Sequence, residues 1–194
     1  MAELSVFLGA VILGSSILGN INSSNLDLIE ITGKDNIQYI VKNDNNKLEK
    51  VEILTTLNKK IKKLLDYLQK NNYFNNDKIK HVYKKYNPNA LSENVDNEYT
   101  AYSVNKGEEI KLCLNNISAS SNNIIKDENT AMFVLIHELA HIMTKEEGHP
   151  PQFWENMSIL LKHAIDANVY NYINYRENPV YYCGVYVDDT PYIM

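Results

Sequence analysis

Three of the chain's five histidines fall between residues 137 and 149. His137 and His141 stand four apart in HELAH, with Glu138 next to the first of them. On an α-helix, a spacing of four puts two side chains on one face, one turn apart. Two imidazoles so placed can reach a single ion at the roughly 2.0–2.1 Å that zinc prefers for nitrogen. Glu138 projects beside them, where a carboxylate can hydrogen-bond a metal-bound water without ligating the metal. The chemistry of such a set is hydrolysis: the ion acidifies the water and the glutamate takes its proton. HExxH has only three fixed positions, so it also arises by chance. Here the apolar AMFVLI before it supplies the buried helix that a metal site needs.

Zinc of this kind takes a third protein ligand and leaves its fourth position to water. The chain must turn after the helix to bring that ligand back. TKEEGHPP provides polar residues, a glycine able to adopt positive φ at a helix end, and then His149. Pro150 and Pro151 stop one helix and open the next. His149 is therefore the expected third ligand. Glu146 and Glu147 come too soon after the helix to fold back, while Glu155 and Asp166 sit on the following helix and are the remaining carboxylate rivals. His163 reads as a core or surface histidine, and His81 as a solvated one on a lysine-rich helix. Phe153 and Trp154 read as anchors for the loop that carries His149. Tyr181, Tyr182 and Tyr186 read as packing, with a donor to a developing oxyanion as the alternative.

The elements that must position these residues follow from periodicity. IQYIVKN, 37–43, is a strand. Val51, Leu54, Leu57, Ile61, Leu64, Leu65 and Leu68 recur at three- and four-residue steps, which predicts a helix over about 48–70. KIKHVYKKY forms a shorter helix ending before Asn87-Pro88. EYTAYSV (98–104) and EIKLCLN (109–115) alternate around NKGE and predict a hairpin. A polar loop, NISASSNN, leads to Asp127, the expected cap of the histidine helix. The next helix runs from Pro150 to about Ala167. VYYCGVYV in the tail reads as a tyrosine-rich strand. The expected class is α+β.

The chain has 194 residues, enough for one sizeable core, and a formal net charge of -5. That sign argues against a general grip on nucleic acid. Leu4 to Ile21 carries no charge and approaches the roughly 20 apolar residues that span a bilayer. Residues 1–21 are expected to be a hydrophobic helix that anchors the protein to a membrane through 4–21. A cleaved signal and a helix buried in the domain are the alternatives. Residues 22–36 read as a polar tether, and 37–194 as the folded domain. Cys113 and Cys183 form no CxxC pair; reduced, buried thiols are expected, although nothing in the sequence forbids a bridge.

HELAH followed by GHPPQFW resembles zincin metallopeptidases of the SprT and WLM kind, which pair HExxH with a later Gly-His or Pro-His segment and then Phe or Phe-Trp. The interval from His137 to His149 is two residues longer than the usual WLM form. Thr144 stands where metzincins place a glycine. Across roughly 37–185 the layout is similar to WLM-like metallopeptidases of large DNA viruses, on the strength of YIVKN, YTAYSVNKGEEIKLCL, the histidine helices and NPVYYCG. The resemblance implies a minimal zincin fold, Zn²⁺ on His137, His141 and His149, and Glu138 as catalytic base. It also implies a peptide or protein substrate, paired with an edge strand within 98–115. DNA-crosslinked substrates are not carried over, because the chain has neither a zinc ribbon nor a basic tail. A catalytically silent zincin-like module and a hydrolase of non-peptide amides are the competing expectations. A silent module has no use for Glu138.

Overall fold

The computed structural model of the chain describes residues 27–95, 100–118, 121–124 and 127–191. The expected helix over 1–21 and the start of the tether lie outside these residues. Among the described residues, no helix is long and apolar enough to cross a membrane. What is described is α+β: four α-helices and four small sheets around one buried apolar cluster.

β1 (Leu28–Thr32) pairs antiparallel with β2 (Gln38–Lys42). The second half of the expected tether is therefore half of a hairpin. Alternation in LIEIT half-buries Ile29 and Ile31, which is what a polar-loop reading overlooks. Tyr39 and Val41 of β2 face inward onto α1 (Lys47–Lys70). The predicted stripe of α1, including Leu54, Leu57, Ile61 and Leu64, is fully buried. Lys50, on the same helix, is also fully buried. Its ammonium lies 2.6 Å from Asp44 and 2.7 Å from Glu93, so its charge is paired twice. Glu93 also accepts the Lys42 amide at 2.6 Å. Hairpin, helix and the next sheet are thereby joined by one ionic node.

α2 (Asp77–Lys85) is capped by the Asn76 side chain and buries Ile79 and Val82. It leads to β3 (Leu91–Glu93), which runs parallel to β5 (Glu109–Leu112). β4 (Ala101–Val104) pairs antiparallel with β5, as the hairpin signal predicts. The order β3-β5-β4 leaves β4 at the edge of this sheet among the described residues. β6 (Asn115–Ser118) and β7 (Ser121–Ile124) form a further hairpin where a polar loop was expected. The polar sequence hides strands whose pairing the backbone makes.

α3 (Glu128–Met143) begins at Asp127, whose carboxylate accepts the amides of Asn129 and Thr130 at 3.0 and 3.1 Å. Every residue from Thr130 to Met143 is buried. A helix apolar on all sides belongs in the centre of a domain, and α3 contacts α1, α2, α4, β4 and β5. α4 (Pro151–Asp166) runs back along it, burying Phe153, Met157, Leu160 and Leu161.

The tail is two strands rather than one. β8 (Val180–Tyr182) and β9 (Val185–Val187) meet in a turn whose central residues, Cys183 and Gly184, have φ of 48° and 89°. This turn corrects the expectation of reduced thiols: Cys183 is disulfide-bonded to Cys113, with Cα atoms 6.2 Å apart. Their separation of 70 residues conceals the pairing in the sequence. The Tyr182 hydroxyl donates to the Cys113 carbonyl at 3.0 Å and secures the same junction.

Candidate metal centre

His137 and His141 lie one turn apart on α3, and the turn after the helix returns His149 to them. Gly148 takes φ of 70°, the left-handed conformation expected of it. Pro150 then sets the entry to α4. Ring nitrogens of the three histidines all lie within 4.8 Å of one another. Their ring centroids form a nearly equilateral triangle, with sides of 5.0, 4.9 and 4.9 Å. Phe153 sits on the axis of that triangle, 4.7, 4.5 and 4.6 Å from His137, His141 and His149. One buried ring therefore braces all three imidazoles. Trp154 lies 5.5 Å from the His149 ring and forms its outer flank.

The arrangement fits a metal ion on three counts. The Nε2 atoms of His137 and His149 are 3.1 Å apart, whereas two nitrogens on one tetrahedral zinc stand about 3.3 Å apart. Neither ring nitrogen of buried His141 has a hydrogen-bond partner, a costly state for a group that must carry one N–H. Burial drives the pKa of His141 down to about 3, and the charges of His149 and Lys106 push the same way. Its imidazole is therefore neutral at ordinary pH, the form that ligates metal.

Glu138 is fully buried on α3, and neither carboxylate oxygen has a hydrogen-bond partner. Desolvation pushes its pKa up to about 8; the Ser103 hydroxyl, inward-facing on β4, pulls the other way without reaching hydrogen-bonding geometry. A divalent ion beside it would favour the ionised form. Glu138 is thus a carboxyl held out of water on the helix that carries His137 and His141.

The rival ligands are elsewhere. Glu155 is exposed and accepts from Gln152 at 2.8 Å. Asp166 pairs with Lys162 at 3.4 Å at the far end of α4. Glu146 and Glu147 are exposed in the loop, and His81 is exposed on α2. His163 is buried against the Tyr73 ring at 4.2 Å, a packing role. Of the tail tyrosines, Tyr182 is committed to the Cys113 carbonyl, while Tyr181 and Tyr186 meet edge to face with ring centroids 5.3 Å apart.

Three contributors escape sequence reasoning. Ser103 could have been found from the alternation in AYSV, which turns it inward with Ala101. Asn156 and Lys106 carry no such signal. The Asn156 amide donates to the Met143 carbonyl at 3.3 Å and to the Thr144 hydroxyl at 2.8 Å. It fixes the end of α3 from the α4 side.

The chain is similar to an uncharacterized protein of Acanthamoeba polyphaga mimivirus, 38% identical over 164 residues, which is 82% of this chain and 80% of the relative. Uncharacterized proteins of invertebrate iridescent viruses 3 and 6 are 35% and 32% identical over 71 residues. Each of those two matches spans 37% of this chain, and 42% and 39% of the respective relatives. No family model matches the chain, and no solved structure does.

Proposed function

The chain belongs to the family of the mimivirus protein, a family of large DNA viruses, and we propose that it is a zinc-dependent peptidase of the zincin kind. One observation carries the reading: three ligand atoms gathered within 4.8 Å, with the dry, unpartnered carboxylate of Glu138 on the same helix. His137, His141 and His149 would hold the ion. Zinc held there supplies Lewis acidity, lowering the pKa of a water and polarising a carbonyl.

The chain's own residues do the rest. Glu138 takes the proton of the attacking water and returns it to the leaving nitrogen, so acid and base are one group. Ser103 faces that carboxylate. Phe153 keeps the three rings in register. β4, at the edge of its sheet, can pair with an extended backbone, which favours a peptide over a small amide. The test is metal content and peptide-library turnover of the purified protein. Glu138→Gln should retain one zinc and lose about 10²–10⁴-fold in turnover. His149→Ala should lose most of the zinc. Wild-type protein without stoichiometric metal, or a Glu138→Gln variant with undiminished turnover, would sink the reading.

Residues 4–21 are proposed as a membrane anchor, on their uncharged apolar composition. Carbonate extraction of full-length protein from membranes tests this; release into the soluble fraction counts against it.

A further inference from the structure

The loop that returns His149 has few anchors. The side chains of Lys145, Glu146 and Glu147 are exposed. Asn156 holds one side of the helix end, as described above. The other side is held by the β4–β5 turn. Asn105 and Lys106 both take positive φ, 46° and 57°, ahead of Gly107 at 102°. This brings the turn onto the last turn of α3. At φ of 102° a side chain would be strained, and a Cβ at Gly107 would stand 2.7 Å from Ile142 Cδ1, so glycine eases the approach. The Lys106 ammonium donates to the Thr144 carbonyl at 2.7 Å and to the Glu146 carbonyl at 3.0 Å.

A lysine near a helix C-terminus commonly satisfies orphan carbonyls. That role accounts for Thr144, the C-cap residue of α3, but not for Glu146. Glu146 lies outside the helix, three residues before His149. Left-handed φ at a lysine is uncommon and costs energy, so the surroundings must enforce it. The same hairpin carries Ser103 opposite Glu138, so its tip and its strand bear on ligand and base together.

We propose that Lys106 is a positioning residue for the metal centre, fixing the path of the chain from α3 to His149 by holding both carbonyls. The proposal rests on the zinc reading above. Its action is on preorganisation: without the two bonds the loop samples more conformations, and His149 reaches the ion only at an entropic cost.

The experiment is competition of full-length protein with a chromophoric chelator for Zn²⁺, comparing wild type with K106M, K106R and K63M. K106M should bind zinc roughly 10–100-fold more weakly, the range for residues that orient ligands. K106R, which keeps charge and donors, should return toward the wild-type value. K63M is the control, because Lys63 also donates to a backbone carbonyl, that of Asn168 at 3.2 Å, outside the centre. It should bind as wild type does. Metal-free K106M should also be cut faster after Glu146 and Glu147 by a glutamate-specific protease, while its circular dichroism superimposes on that of wild type. Zinc bound by wild type and equally tightly by K106M would overturn the role of Lys106 alone, as would an equal loss in K63M. Wild type that binds no zinc would overturn the metal centre, and this role with it.

Discussion

His141 is buried with neither ring nitrogen hydrogen-bonded, and that isolation is what suits it to a metal. His163 is the useful contrast, because it is nearly as buried but packs on Tyr73 rather than on other histidines. Burial is the main cause holding its pKa below the ordinary value; the Lys162 charge adds to this and Asp166 opposes it. The unfolded chain therefore takes up a proton near pH 6.5 while the folded one does not. Stability from this residue is intact above pH 6.5 and falls as the pH drops through that value. His163→Phe keeps a ring against Tyr73 and should remove this part of the acid dependence. Urea melts of wild type and variant in the presence of a chelator at pH 7.5 and 5.5 check it. A wild-type loss that the variant shares in full would refute the assignment.

At the scale of elements, the Asp44–Lys50–Glu93 node joins the β1–β2 hairpin to α1 and β3. Removing the cation leaves Glu93 buried and uncompensated. Lys50→Met should cost about 3–5 kcal/mol by chemical denaturation. A loss below about 1 kcal/mol, the range of a surface ion pair, would mean that water reaches the node. Nothing in KLEKVEIL marks Lys50 as interior, since lysines line the whole helix; only the tertiary approach of β3 does. The same limit separates what the sequence discloses from what it hides. Helices α1 to α4, β2 and the β4–β5 hairpin were legible because each presents a long apolar period or a clear turn. β1 and the β6–β7 hairpin are short and rich in polar residues, and β3 is three residues long and pairs with β5, which lies beyond β4 in the sequence. In the candidate site, the meeting of His137, His141 and His149 was legible from helical spacing and the turn chemistry after α3. Lys106, Asn156 and the equidistant placing of Phe153 arise only when separate elements pack together, whereas Ser103 was readable from the alternation of β4.

For the molecule as a whole, the Cys113–Cys183 bond is the longest-range covalent constraint among the described residues. Closing a loop with a separation of 70 residues should restrict the unfolded chain by about 4 kcal/mol. The double variant Cys113→Ser, Cys183→Ser should lose stability of that order, and reduced wild type should match it. Wild type whose unfolding is indifferent to reductant, or whose mass shows two free thiols, would contradict the bond. Such a bridge persists in oxidising surroundings, so the stability of this protein depends on where it resides.

The two half-cystines also stand on either side of α3, α4 and the segment between them, so all three imidazoles and Glu138 lie within a single covalent ring. A lone backbone nick inside that ring, even in the bare stretch just before His149, parts no fragment from the rest. A chain cut once there would thus keep all three histidines and Glu138 in one covalent molecule, and reveal the damage only once the bridge was reduced.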